Sequence, residues 1–218
     1  MSWLDKWGFL LGGSALVLSS EAPTIWKAVA KTAKWGFGDR IQVCDGTDDN
    51  IEIQAAINAL SASGGKLILS EGNYSVSSVV QGISDLEIEL LPGAKIALAV
   101  GATCRIFETT STQNVSIHGG ELEGTNNSTV SNELVYFRYC TGVHLGPIKL
   151  HDCYGNAFAV SGCEHVTLDV FTDTTRGVGH GGGLIEGCKY VSGVVHVKDT
   201  ADSGADINGT AEYPSEHL

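Results

Sequence analysis

An all-β fold, a solenoid of stacked strands, is what this 218-residue chain predicts, and two observations carry the prediction. From Leu86 onward, short β-alternating runs return at offsets of 29, 28, 23 and 25, led by Leu86-Glu87-Ile88, Val115-Ser116-Ile117, Val143-His144-Leu145, Val166-Thr167-Leu168 and Val191-Ser192-Gly193-Val194. No helical period lies inside these units and Gly/Asn turns separate them, as expected of strands wound into successive coils. Second, Cys140, Cys163 and Cys188 each stand three residues before the leading valine of their unit. Coils stacked at about 4.8 Å would line these thiols into an internal ladder.

Composition narrows the function classes. An apolar content of 43% with 17% charge belongs to a globular chain with a sizeable core. The first 40 residues hold five Lys/Arg against three Asp/Glu, net +2, while the rest holds 8 against 22, net −14. A surface of that sign repels phosphate backbones, and no basic stripe interleaved with aromatics offsets it, so nucleic acid is excluded as a partner. A neutral glycan fits, as does a cation such as Ca²⁺ held by carboxylates. The six cysteines match neither a CxxC metal knuckle nor a small-domain disulfide framework.

Taken in order, residues 1–40 contain all four tryptophans, Trp3, Trp7, Trp26 and Trp35, and read as an attachment or capping segment ahead of a β domain over 41–218. The apolar run 7–18 is too short to span a bilayer, and its flanks make a poor secretion signal. Pro23 suits a first helical turn, and Ile25, Trp26, Val29, Ala30 and Ala33 make an apolar stripe opposite Lys27, Lys31 and Lys34. Two uses stay open: packing across the end of the domain, and docking to a partner protein or membrane surface. Asp49 with Glu52 three residues on has the form of a capping box. Ile53, Ile57 and Leu60 then line one helix face, and Gly64-Gly65 ends the element. Lys66-Leu67-Ile68-Leu69 and Tyr74-Ser75-Val76 follow as strands around the turn Glu71-Gly72-Asn73.

Asp45-Gly46-Thr47-Asp48-Asp49, Ile53-Gln54-Ala55-Ala56-Ile57, Gly64-Gly65-Lys66-Leu67-Ile68-Leu69 and Glu71-Gly72-Asn73-Tyr74-Ser75-Val76 together resemble the opening signature of the pectate-lyase-like superfamily. The resemblance covers residues 45–76. It implies a right-handed parallel β-helix, here of about five to six coils, whose signature helix caps the first coil, with Asp45, Asp48 and Asp49 as structural residues. It also implies membership in a group of polysaccharide lyases, glycoside hydrolases and phage tailspikes. Polygalacturonase-like members carry NTD, DD, HG and RIK motifs. This chain offers Gly155-Asn156-Ala157-Phe158, His180-Gly181, no paired Asp on the coil between and no RIK, which argues against galacturonan hydrolysis.

Counting from each unit's leading valine places Glu123, Asp152, Asp173 and Asp199 at offsets of eight, nine, seven and eight, nearly one station on four coils. Neighbouring carboxylates about 5 Å apart would either raise one pKa, giving a general acid, or hold Ca²⁺ between them. Asp152, Asp173 and Asp199 are therefore the candidate acid/base residues, and Glu123, Asp152 and Asp173 the candidate metal ligands. The same aspartates also suit turns closed on their own backbone amides. Beyond them lies Arg176-Gly177-Val178-Gly179-His180, where Arg176 and His180 offer a fixed positive charge and a proton-transfer group; His151 beside Asp152 offers another. Two functions follow. One is a carbohydrate-active protein acting on or binding a polysaccharide. The other is a non-catalytic glycan-binding or fibre module, homotrimeric, docked through its N-terminal segment. Either belongs outside the cell or on a particle or cell surface.

Overall fold

The computed structural model describes residues 13–60, 64–125, 133–175, 181–200 and 206–208. Two sheets hold their strands. The first contains β1 (Ser14–Leu18), β2 (Ile41–Val43), β3 (Gly65–Leu69), β4 (Gly72–Val76), β6 (Leu86–Leu98), β8 (Gln113–Glu123), β10 (Thr141–Cys153), β12 (Glu164–Thr175) and β14 (Lys189–Thr200). The second contains β5 (Val80–Gln81), β7 (Phe107–Thr110), β9 (Val135–Arg138), β11 (Phe158–Ser161), β13 (Gly183–Glu186) and β15 (Asp206–Asn208). From β5 onward the chain alternates between the sheets, and the strand pairs are parallel, which makes the body a β-rich parallel solenoid.

Register turns the sequence repeat into columns. Leu86, Val115, Val143, Val166 and Val191 are in register across five strands, and Ile88, Ile117, Leu145 and Leu168 make the next inward column. In the second sheet Phe107, Val135 and Phe158 are in register with Gly183, where a Cβ would lie 2.3 Å from the Phe158 ring. The ring therefore fills the space that the glycine leaves. The apolar residues of these columns form one continuous core, against which the partly buried Val191 packs at the end of its column.

The expected thiol ladder forms at the corner between the sheets. The Cys140 backbone N–H donates to Cys163 Sγ (3.2 Å), and that of Cys163 to Cys188 Sγ (3.4 Å). Thr112, one coil earlier, puts its hydroxyl 3.3 Å from Cys140 Sγ and heads the column. All three thiols are free and buried. Hydrogen bonding to Cys140 and Cys188, with burial added, pushes the Cys163 thiol far up, so it stays protonated. β10 bends midway at glycine: Gly146 has φ +116°, and a Cβ there would stand 1.8 Å from the Asp169 carbonyl oxygen.

The helix Asn50–Asn58 sends Ile53, Ala56 and Ile57 into the core and covers the interior beside β1 and β2. The capping box expected of Asp49 and Glu52 does not form. Asp49 is fully buried and accepts instead from the Gly46 N–H (2.9 Å) and, across the chain, from the Ser75 N–H (2.8 Å), tying the loop to β4. Burial of its carboxyl, with Asp45, Asp49 and Asp48 nearby, raises the Glu52 pKa, and its Oε2 is buried without a hydrogen-bond partner.

The helix Thr24–Phe37 lies on the flank of the first sheet. Ala30, with Trp26, Val29 and Ala33, packs on Leu16, Leu18, Ile41 and Ile68, while Ile25 is left exposed. β1 is thus buried on both faces, Ala15 and Val17 toward the core and Leu16 and Leu18 toward the helix. Although it comes from the first 40 residues, β1 pairs with both β2 and β3 inside the sheet.

Two substitutions test these supports. Gly146→Ala should lower unfolding free energy by about 2 kcal/mol or more, since no shift short of opening the bend removes the clash. Asp49→Ala, which orphans two N–H groups, should cost about 2 kcal/mol in the same denaturant titration.

Candidate functional site

The second halves of the long strands carry the site. Ile96, Leu122, Leu150, Thr172 and Val197 are in register, and the first four are buried. Alternation then turns the residues on either side outward. One outward row reads Lys95, Glu121, Lys149, Phe171, His196, and the other Ala97, Glu123, His151, Asp173, Lys198. With coils about 4.8 Å apart, opposite charges on neighbouring coils fall within reach.

They pair accordingly. Lys95 Nζ meets Glu123 Oε2 at 2.6 Å, Lys149 Nζ meets Glu121 Oε2 at 3.3 Å, and Lys198 Nζ meets Asp173 Oδ2 at 3.4 Å. The hydrogen bond to Glu123 raises the Lys95 pKa. At the centre, His151 is held at both ring nitrogens, Nδ1 2.8 Å from Asp152 Oδ2 and Nε2 3.1 Å from Glu121 Oε2, and its side chain is only 13% exposed. Carboxylates only accept, so both bonds exist together only if the imidazole carries two N–H groups or one carboxyl is protonated.

The expected carboxylate column is displaced by the register. Glu123 and Asp173 do share a station, with His151 between them, whereas Asp152 and Asp199 fall one residue later. Their counts already differ, nine for Asp152 against eight for Glu123 and eight for Asp199 against seven for Asp173, while the irregularity at Leu145/Ile148, where β10 holds one residue more than β12, is what brings Glu123 and Asp173 level. Asp152 and Asp199 instead take the left-handed conformation, at φ 56° and 51°, where Asp is tolerated. Arg176 and His180 lie outside the described residues. Glu121, Lys95 and Lys149 escape a valine-anchored alignment; anchoring on the buried residue of Lys-Ile-Ala, Glu-Leu-Glu, Lys-Leu-His and Phe-Thr-Asp exposes them.

Glu123, Asp152 and Asp173, the candidate metal ligands, each face a basic partner. Among the described residues, Cys44, Asp49 and Glu52 do bring ligand atoms within 4.8 Å of one another. Both Asp49 oxygens are already committed to backbone N–H groups, and burial, with the neighbouring Asp49 and Glu52, pushes the Cys44 thiol far up, so this group is structural.

A second polar cluster lies on the first halves of the strands: Lys66 Nζ bridges Glu87 (2.7 Å) and Glu89 (2.8 Å), and His118 Nε2 meets Glu87 at 3.1 Å. Among the described residues no helix is long and apolar enough to cross a membrane.

No protein-family model matches the chain, and no curated protein sequence does. Solved structures do resemble it. One, from Parabacteroides merdae ATCC 43184 and described only provisionally as a glycosyl hydrolase, aligns with TM-score 0.65 at 20% identity, over 78% of this chain and 90% of that one. PfbA, a surface adhesin of Streptococcus pneumoniae, aligns with TM-score 0.52 at 18% identity, over 64% of this chain and 40% of the adhesin. ORF18 of Geobacillus virus E2 gives TM-score 0.37 at 19% identity, over 76% of this chain and 44% of that one. At these identities the likeness concerns the fold.

Lys66, through its hydrogen bond, and then His118 hold the Glu87 carboxyl below its ordinary value of 4.5. A depressed folded-state pKa stabilises above the ordinary value, and that contribution is lost as pH falls through the lowered one. Thermal melts from pH 7 to pH 3 should therefore show a smaller loss of Tm for Glu87→Gln than for the wild type.

Proposed function

We propose that the chain is a carbohydrate-related parallel β-helix protein that engages a polysaccharide along the row Glu121, Glu123, His151, Asp152 and Asp173. The observation that carries this reading is the His151 imidazole fixed between Glu121 and Asp152 on the outer face of the first sheet. Polar groups repeat there at the coil spacing, along the direction in which an extended polymer would lie. The fold shared with a provisionally described glycosyl hydrolase supports it. In bond cleavage, Asp152 would orient the ring through Nδ1, and Nε2, shared with Glu121, would pass a proton to or from the sugar oxygen. Asp173 and Glu123, at the same station one coil away on either side, would hold hydroxyls.

This reading takes the solenoid as right-handed with about five to six coils, acting outside the cell or on a particle surface. A second reading, a non-catalytic adhesin or fibre module, homotrimeric and docked through residues 1–40, is favoured by the likeness to PfbA and by the closure of nearly every acid of the row in an ion pair.

Incubation of the purified chain with a polysaccharide panel, scored for reducing ends and unsaturated products, decides between them. Turnover that falls about 10²- to 10⁴-fold in His151→Ala supports proton transfer. Binding without any turnover supports the adhesin reading. Absence of both across the panel overturns the carbohydrate reading.

A further inference from the structure

The corner that carries the thiol column follows one pattern in four successive coils: a left-handed residue, an inward Thr or Cys, an outward residue, then a second left-handed residue. The segments are Ser111-Thr112-Gln113-Asn114, Tyr139-Cys140-Thr141-Gly142, Gly162-Cys163-Glu164-His165 and Gly187-Cys188-Lys189-Tyr190, with φ between 51° and 71° at each left-handed station. Such backbone favours Gly, Asn and Asp, and those residues fill four of the stations. Tyr139, His165 and Tyr190 fill three others, at φ 54°, 56° and 54°, a conformation that His tolerates and a Tyr side chain disfavours.

Burial does not compensate that cost. Tyr139 is 57% exposed, Tyr190 is 47% exposed, and His165 is exposed too. Strain retained at side chains this exposed, whose contacts are with one another, with Arg138 and with Gly162, points to use of the exposed surface. The local shape suits a flat ligand. The Tyr139 ring lies over Gly162, close enough that a Cβ there would come within 2.5 Å of it, and Gly187, next in that column, has open space around its Cα. His165 and Tyr190 stack at 4.8 Å between ring centroids, 15° from parallel. Arg138 sits 4.9 Å from the Tyr139 centroid, and Glu164 pairs with Lys189 at 3.0 Å between the two ring columns.

We propose that Tyr139, His165 and Tyr190 form a stacking platform for the pyranose rings of a neutral polysaccharide. A pyranose presents a C–H face to an aromatic ring and a hydroxyl rim to polar groups, and this corner offers both, with Glu164 and Lys189 paired to each other. The formal net charge of −12 disfavours polyanionic chains and nucleic acid, whose bases could otherwise use the same rings. The platform rests on the carbohydrate reading above, but it lies at the N-terminal end of the long strands, away from the His151 row.

The test is affinity electrophoresis of the full chain in gels containing soluble β-glucan, xylan, galactomannan or polygalacturonate, with single-stranded DNA as a further probe. The variants are Tyr139→Gly and Tyr190→Asn, residue types that other coils place at these stations, so the fold should hold and Tm should stay level or rise. A neutral polysaccharide should retard the wild type, and the double variant should raise its Kd at least about tenfold. Retardation unchanged in the double variant overturns the platform while leaving the carbohydrate reading intact. Retardation by polygalacturonate or DNA alone overturns it as well. A wild type retarded by no polysaccharide removes the carbohydrate reading and the platform together.

Discussion

In-register parallel hydrogen bonding between coils is the constraint on which everything else in this structure depends. Each long strand both donates to and accepts from the strand on either side, so a residue's surroundings are set by the residues at the same station one coil away. A slip of a single position would turn Val143 and Leu145 outward and bury His144. The corners must therefore turn the chain without disturbing the count. They do so with paired left-handed residues and with thiols whose lone pairs accept the N–H of the preceding coil.

The same stacking governs the outer surface. Columns put like residues side by side, and a column of carboxylates alone would repel itself at the coil spacing. The second half of the first sheet avoids this by alternating sign: Lys95 opposes Glu123, Lys149 opposes Glu121, and His151 stands between Glu121 and Asp152. Most of these pairs are partly solvated and add little to stability singly. What they supply is position, a regular row of hydrogen-bonding groups on a rigid face.

How much of this was legible in the sequence follows the same division between inside and outside. The leading valines, the Cys column, the helix Asn50–Asn58 and the strands β3 and β4 were readable, because inward positions repeat in residue type. β1 was not, since a strand buried on both faces reads only as an apolar run. The acidic station was half readable. Glu123 and Asp173 align because the extra residue near Gly146 absorbs their unequal counts, whereas Asp152, nine after Val143, falls one residue past the station. Glu121, Lys95 and Lys149 were hidden because outward columns alternate in charge and so repeat no residue type. Tyr139, His165 and Tyr190 gave no signal, since a positive φ at an aromatic residue cannot be foreseen from its letter.

The placement of β1 has a bearing on how the chain assembles. Its neighbours are β2 and β3, and Ser14 pairs with Lys66 across some 50 intervening positions, whereas each later layer joins its predecessor over fewer than 30. Loop-closure entropy is larger for that pairing than for β1 with β2, 25 positions apart, or for any later layer. Closing it would thus be the slowest union of the stack, after which the later layers add locally on the template it completes.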